Sequence, residues 1–171
     1  MSILNVEIKA RYNHPDFIHN KLKSLQANHI GLDHQIDTYF NVPNGRMKLR
    51  QGNIENNLIY YERGNTDPPK PSTINLHPVE NPETLLSLLT HSLGVKVVVD
   101  KKRDIYFIDN VKFHIDEVQE LGSFVEIEAI DDDGSIGEKK LHEQCTKYME
   151  LLNIKPQDLV SVSYSDLLLD Q

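Results

Sequence analysis

Residues 3–12 (ILNVEIKARY) alternate apolar with polar: Val6, Ile8 and Ala10 share one face, Glu7, Lys9 and Arg11 the other. That is the two-residue period of a half-buried strand. Asn13 and the His14-Pro15 step end it, and Pro15 suits the first turn of a helix. Phe17, Ile18, Leu22, Leu25 and His29 then predict an amphipathic helix over 15–29, with Gly31 as its terminator. Residues 33–42 read as a strand, Pro43-Asn44-Gly45 as a tight turn, and 46–51 and 58–63 as further strands separated by an Asn56-Asn57 turn. The three prolines within 65–71 predict a loop, followed by a short strand over 72–79.

Pro82 to Leu93 reads as a helix whose buried side is Leu85, Leu86, Leu88, Leu89 and Leu93, closed by Gly94. Strands are expected over 95–103, 104–109, 112–118 and 122–130. Leu141, Cys145, Tyr148, Met149 and Leu152 recur at helical spacing within 135–152, and a last helical piece is expected over 156–169. Eight or nine strands, mostly in antiparallel hairpins, with three or four helices make an α+β fold, read as one domain over 1–171.

Length and composition limit what that domain can be. At 171 residues the chain can bury a core without staples. Its single cysteine, Cys145, excludes an internal disulfide framework and a Cys-cluster metal site. The helical spacing around Cys145 points to core packing. The early charge of MSILNVEIKARY does not match a signal peptide, and no apolar run reaches the length of a membrane span, so a cytoplasmic location is expected. The net charge of -8 argues against nucleic-acid polymers and membrane surfaces as partners. That charge is divided: residues 1–103 carry 13 Lys+Arg and 10 Asp+Glu, whereas 104–171 carry 5 and 16.

The polar strand faces sharpen this division. Glu7-Lys9-Arg11, Arg46-Lys48-Arg50, Tyr61-Arg63, Lys101-Arg103, His114-Asp116 and Glu126-Glu128 each stand at i,i+2 on one face. A sheet with one solvated face accounts for the alternation through cross-strand pairs. It does not account for cations doubled within a strand, which repel unless carboxylates or a ligand answer them. A closed sheet with a charged lumen accounts for both. There, paired carboxylates would hold a divalent cation and Arg and Lys would clamp phosphate oxygens, a combination suited to a metal-bound triphosphate. The P-loop, the dinucleotide Gly-rich fingerprint and H-E-x-x-H are absent, so side chains must hold the phosphate.

The opening NVEIKAR (5–11) resembles a Glu-x-Glu-x-Lys signature. QIDTYF (35–40), GRMKLR (45–50), LIYYER (58–63), VVVDKKRDIYF (97–107), FHIDEV (113–118) and LGSFVEIE (121–128) resemble the blocks that follow it, in order. This pattern is similar to the CYTH group, the triphosphate tunnel metalloenzymes, with wording nearest the class IV adenylyl cyclase branch. The resemblance implies a closed eight-stranded antiparallel β-barrel with flanking helices and Mg2+ or Mn2+ bound beside a triphosphate. It implies metal ligation by Glu7, Glu126, Glu128 and Asp116. It implies triphosphate binding by Lys9, Arg11, Lys48, Arg50, Arg63, Lys101 and Arg103, and catalytic roles for Lys9, Asp116 and Arg63. Asn5 stands where the signature has its first glutamate; an amide oxygen ligates a hard cation without adding charge. A homodimer is an expectation of the resemblance alone.

Three activities share such a lumen. One is conversion of ATP to cyclic AMP and pyrophosphate, the activity the wording favours. The second is hydrolysis of thiamine triphosphate or an inorganic triphosphate. The third is non-catalytic binding of a nucleotide or polyphosphate, which Asn5 favours.

Overall fold

The computed structural model describes residues 2–62 and 66–171. Eight strands close into a barrel: β1 (Ser2–Arg11), β2 (Asn28–Phe40), β3 (Arg46–Gln51), β4 (Asn56–Glu62), β5 (Lys70–Pro78), β6 (Val95–Ile108), β7 (Val111–Val118) and β8 (Gly122–Asp131). The order around the barrel is β1-β5-β4-β3-β2-β6-β7-β8, every neighbouring pair antiparallel. Closure removes sheet edges, and the two-residue period then sends one set of side chains into the lumen and the other outward.

The outward set of β1, β7 and β8 is the apolar one. Val6, Ile8, Phe113, Val125 and Ile127 pack against Ile18 and Leu22 of α1 (Pro15–Ser24) and Leu141, Cys145 and Tyr148 of α3 (Glu138–Leu151). Here the main core lies outside the barrel wall, which leaves most of the lumen to polar groups. The remaining helices are α2 (Pro82–Leu93), a 3-10 turn over Pro156–Asp158, and α4 (Tyr164–Leu169).

Several sequence expectations change. The two strands expected over 95–109 are one, because alternation continues through Asp104 with no turn residue to break it. The first helix stops at Ser24, and His29 belongs to β2, where its ring stacks on Tyr106. Gly31 serves a register shift in β2 at φ 141° and does not terminate a helix. α2 buries none of its residues, and Leu88 is 63% exposed, so the expected apolar side is not inside. Asp131, the first carboxylate of the acidic run Asp131-Asp132-Asp133, is buried and accepts bonds from the backbone N–H groups of Gly134, Ile136 and Gly137. The helical piece expected over 156–169 breaks after Asp158, and the extended stretch that follows runs over one end of the barrel.

Candidate functional site

That end consists of the close of β1 and the starts of β3 and β5. The Val160 N–H donates to the Lys9 carbonyl at 2.8 Å, and the Lys70 ammonium donates to the Ser161 carbonyl. Arg46 reaches Asp166 at 2.7 Å, and Asp166 forms a capping box with Ser163 at the start of α4. Ser163 and Tyr164 therefore form the floor of a cavity of about 780 Å³, measured with its open mouth. The other end is rimmed by Glu55 of the β3–β4 loop, Asn57, Leu76 and Lys112.

Between floor and rim the wall carries Lys9, Lys48, Arg50, Lys101 and Arg103 together with Glu7, Glu126, Glu128 and His114. Strand register brings the early cations and late carboxylates side by side. Glu7 lies opposite Glu128, Lys9 opposite Glu126, and His114 opposite Glu126. Glu126 faces Lys9 at 3.8 Å, Arg103 at 3.4 Å and His114 Nδ1 at 3.2 Å. Burial alone would raise its pKa, but Arg103 and Lys9 overcome that and hold the carboxyl well below its ordinary range.

Two further carboxylates anchor the cations from behind. Asp37 takes the Arg50 guanidinium in a fork, Nε to Oδ1 and Nη2 to Oδ2 both at 2.9 Å, and accepts from Lys48 at 2.9 Å and Lys101 at 2.8 Å. Burial opposes its charge, yet Arg50, Lys101 and Lys48 keep the carboxyl well below the usual carboxylate range. Asp116 forks Arg103 at 2.8 and 2.7 Å and accepts the Tyr164 hydroxyl at 2.7 Å. Burial pushes the Lys9 and Lys101 ammonium groups down; Lys48 and Arg103 add to this, while Glu126 opposes it at Lys9 and Asp37 at Lys101. The Lys9 ammonium also lies 4.2 Å from the Tyr164 ring centroid.

The sequence matches the CYTH domain over residues 4–164, the span that builds this barrel and its floor. The chain belongs to the CYTH domain family. It is 27% identical over 178 residues to a Methanocaldococcus jannaschii protein named "Putative adenylate cyclase MJ0240", covering 96% of this chain and 98% of that one. The solved structure of PH1012 protein from Pyrococcus horikoshii OT3 matches with a TM-score of 0.83 at 26% identity, over 95% of this chain and 98% of that one. A Hippeastrum protein, HpAC1, described as a "putative adenylyl cyclase" with a dominant triphosphatase activity, shares the fold. Its TM-score is 0.58 at 16% identity, over 99% of this chain and 94% of that chain.

The CYTH barrel brings Glu7, Lys9, Lys48, Arg50, Lys101, Arg103, Glu126 and Glu128 to one cavity. Two expected residues fall outside its lining. Arg11 is the last residue of β1; its guanidinium lies 4.8 Å from the Phe124 ring centroid and donates to the Leu121 carbonyl at 3.3 Å, beyond the floor segment. Asp116 is covered by Arg103 and Tyr164, so its oxygens serve those groups. Arg63 lies outside the described residues. Sequence reasoning missed Asp37 as the hub of three cations, Glu55 and Lys112 at the rim, and Tyr164 at the floor. Lys112 carried a signal, since it continues the i,i+2 series of His114 and Asp116.

Glu7, Glu126 and Glu128 supply hard oxygen donors, which suit Mg2+ or Mn2+. Asn5 strengthens that fit: its amide nitrogen donates to Glu128, while its oxygen is buried without a hydrogen-bond partner. Among the described residues no group of three or more His, Cys, Asp or Glu side chains is placed to hold a metal ion. Waters and substrate phosphates would have to complete the coordination of a cation held here.

Proposed function

We propose that this CYTH protein hydrolyses a small triphosphate, with attack of water at a terminal phosphorus and release of orthophosphate. The observation that carries the reading is the one cavity whose lining sets six Lys and Arg side chains against four glutamates, three in the wall and Glu55 at the rim. Phosphoryl transfer needs little covalent participation from protein; it needs phosphate oxygens positioned and developing charge neutralised. The Arg50 and Arg103 guanidinium groups are held rigid by their forks to Asp37 and Asp116, so their remaining N–H groups can meet phosphate oxygens with little further ordering. Lys48 and Lys101 share the Asp37 carboxylate and can turn to phosphate oxygens. Lys9 is fixed between Glu126 and the Tyr164 ring and serves as a charged hydrogen-bond donor to the transferred group. Glu7, Glu126 and Glu128 would hold the divalent cation, which when bound neutralises phosphate charge and activates water.

Hydrolysis asks only that the phosphate chain be held, which the charged groups supply; beyond them the lining offers Asn57, three tyrosines, two serines, His114 and the apolar Ile59, Ile74 and Leu76. The activity stated for HpAC1 agrees. Cyclisation of ATP is the second reading, favoured by the full-length similarity to the protein named as an adenylate cyclase. Purified protein incubated with tripolyphosphate, thiamine triphosphate and ATP, each with Mg2+ or Mn2+, separates the two. Orthophosphate from any of them supports hydrolysis, whereas cyclic AMP with pyrophosphate as the main products would overturn it.

A further inference from the structure

Glu55 is the one acidic side chain at the cavity rim among the described lining residues, and it is fixed there. The β3–β4 loop that carries it is built on Asp33, which is fully buried and accepts the backbone N–H groups of Ile54 at 2.9 Å and Glu55 at 3.0 Å. The Gln35 amide donates to Asp33 at 2.8 Å and to the Glu55 carboxylate at 3.0 Å. The loop passes so close to Asp33 that a Cβ on Gly52 would lie 2.6 Å from its carboxylate, so only glycine fits there. The result is an oriented carboxylate, unlike a surface glutamate on a free loop.

Its partners are the outermost cations of the cavity. Glu55 Oε1 accepts from Arg50 at 3.3 Å, and Oε2 accepts from Lys112, which stands on β7 across the mouth. Without Glu55, Arg50 and Lys112 would extend the cationic wall to the rim and could engage more phosphate. With it, the wall ends in a negative charge.

We propose that Glu55 sets the length of the phosphate chain the cavity accepts: a triphosphate ends beneath its carboxylate, and a fourth phosphate meets it. The inference rests on the triphosphate reading above and adds to it the residue that selects length. A like charge held in place rejects a ligand through repulsion and through the cations it has already neutralised.

The test is calorimetric binding of tripolyphosphate and tetrapolyphosphate without added divalent cation, so that turnover does not intervene. The wild-type chain is expected to prefer tripolyphosphate. Glu55→Gln, nearly isosteric and uncharged, should raise relative affinity for tetrapolyphosphate by about tenfold, the order of one close charge contact. Glu55→Asp, which keeps the charge, should retain the wild-type preference and guards against an effect of misfolding. An unchanged ratio in Glu55→Gln, or a wild type that favours tetrapolyphosphate, overturns the inference while leaving the triphosphatase reading intact. A wild type that binds neither overturns the inference, and one that still binds neither with Ca2+ present overturns the triphosphate reading as well.

Discussion

Replacing Asp37 with asparagine removes one charge while preserving shape, and the structure sets the size of the consequence. The carboxylate is 1% exposed and answers Arg50, Lys48 and Lys101 within 2.9 Å. One unit-charge contact at that distance is worth roughly 6 kcal/mol gross at an effective dielectric near 20. Desolvation offsets much of this, and removing one partner of a buried ionic cluster costs about 3–5 kcal/mol net. For a chain of this size that corresponds to a fall in Tm of roughly 6–20 °C. The pH sign follows from the lowered pKa of Asp37. Its contribution is complete above the ordinary carboxylate pKa and is lost as pH falls through the folded value. Urea unfolding at pH 7 should therefore show the full difference, and the gap should narrow only in acid. Tripolyphosphate should stabilise Asp37→Asn more than the wild type, because the ligand replaces the missing anion for three cations. A loss below about 1 kcal/mol at pH 7 would refute the argument that Asp37 holds the cationic wall together.

Three other outcomes follow. Glu126→Gln with Glu128→Gln should abolish turnover and weaken Mn2+ binding, read by electron paramagnetic resonance; survival of both properties would remove these residues from the metal site. Arg103→Ala should weaken tripolyphosphate binding by at least about tenfold, as loss of a charge-assisted guanidinium donor implies, whereas Arg11→Ala should change it less than about twofold, since Arg11 stands outside the lining. Burial pushes the Cys145 thiol up to about 12. A thiol reagent should therefore leave it untouched in the folded protein and modify it only on unfolding.

The barrel was legible because its cue is local. A two-residue period records which face is apolar, and i,i+2 charges such as Lys101 and Arg103 mark the other face as a site. The same cue cannot distinguish a lumenal anchor from a surface residue when the carboxylate stands alone. Asp37 stands between the uncharged Gln35 and Tyr39 on its strand face, and only closure of β2 on β3 and β6 gives it three cations. Glu55 lies in a loop with no period, and its importance depends on Asp33 and on Lys112 across the mouth. Arg11 shows the opposite error. Its spacing continues Glu7 and Lys9, but the C-terminal segment crosses the barrel end and leaves it outside. α2 has leucines at helical spacing, yet it meets the barrel on too small a surface to cover them.

The most direct measurement of the central claim is the phosphorus NMR spectrum of tripolyphosphate incubated with the protein and Mg2+. The account predicts conversion to orthophosphate and pyrophosphate, abolished when Arg50 and Arg103 are both replaced by alanine. Orthophosphate from none of tripolyphosphate, thiamine triphosphate and ATP, or turnover that survives loss of both arginines, would contradict it.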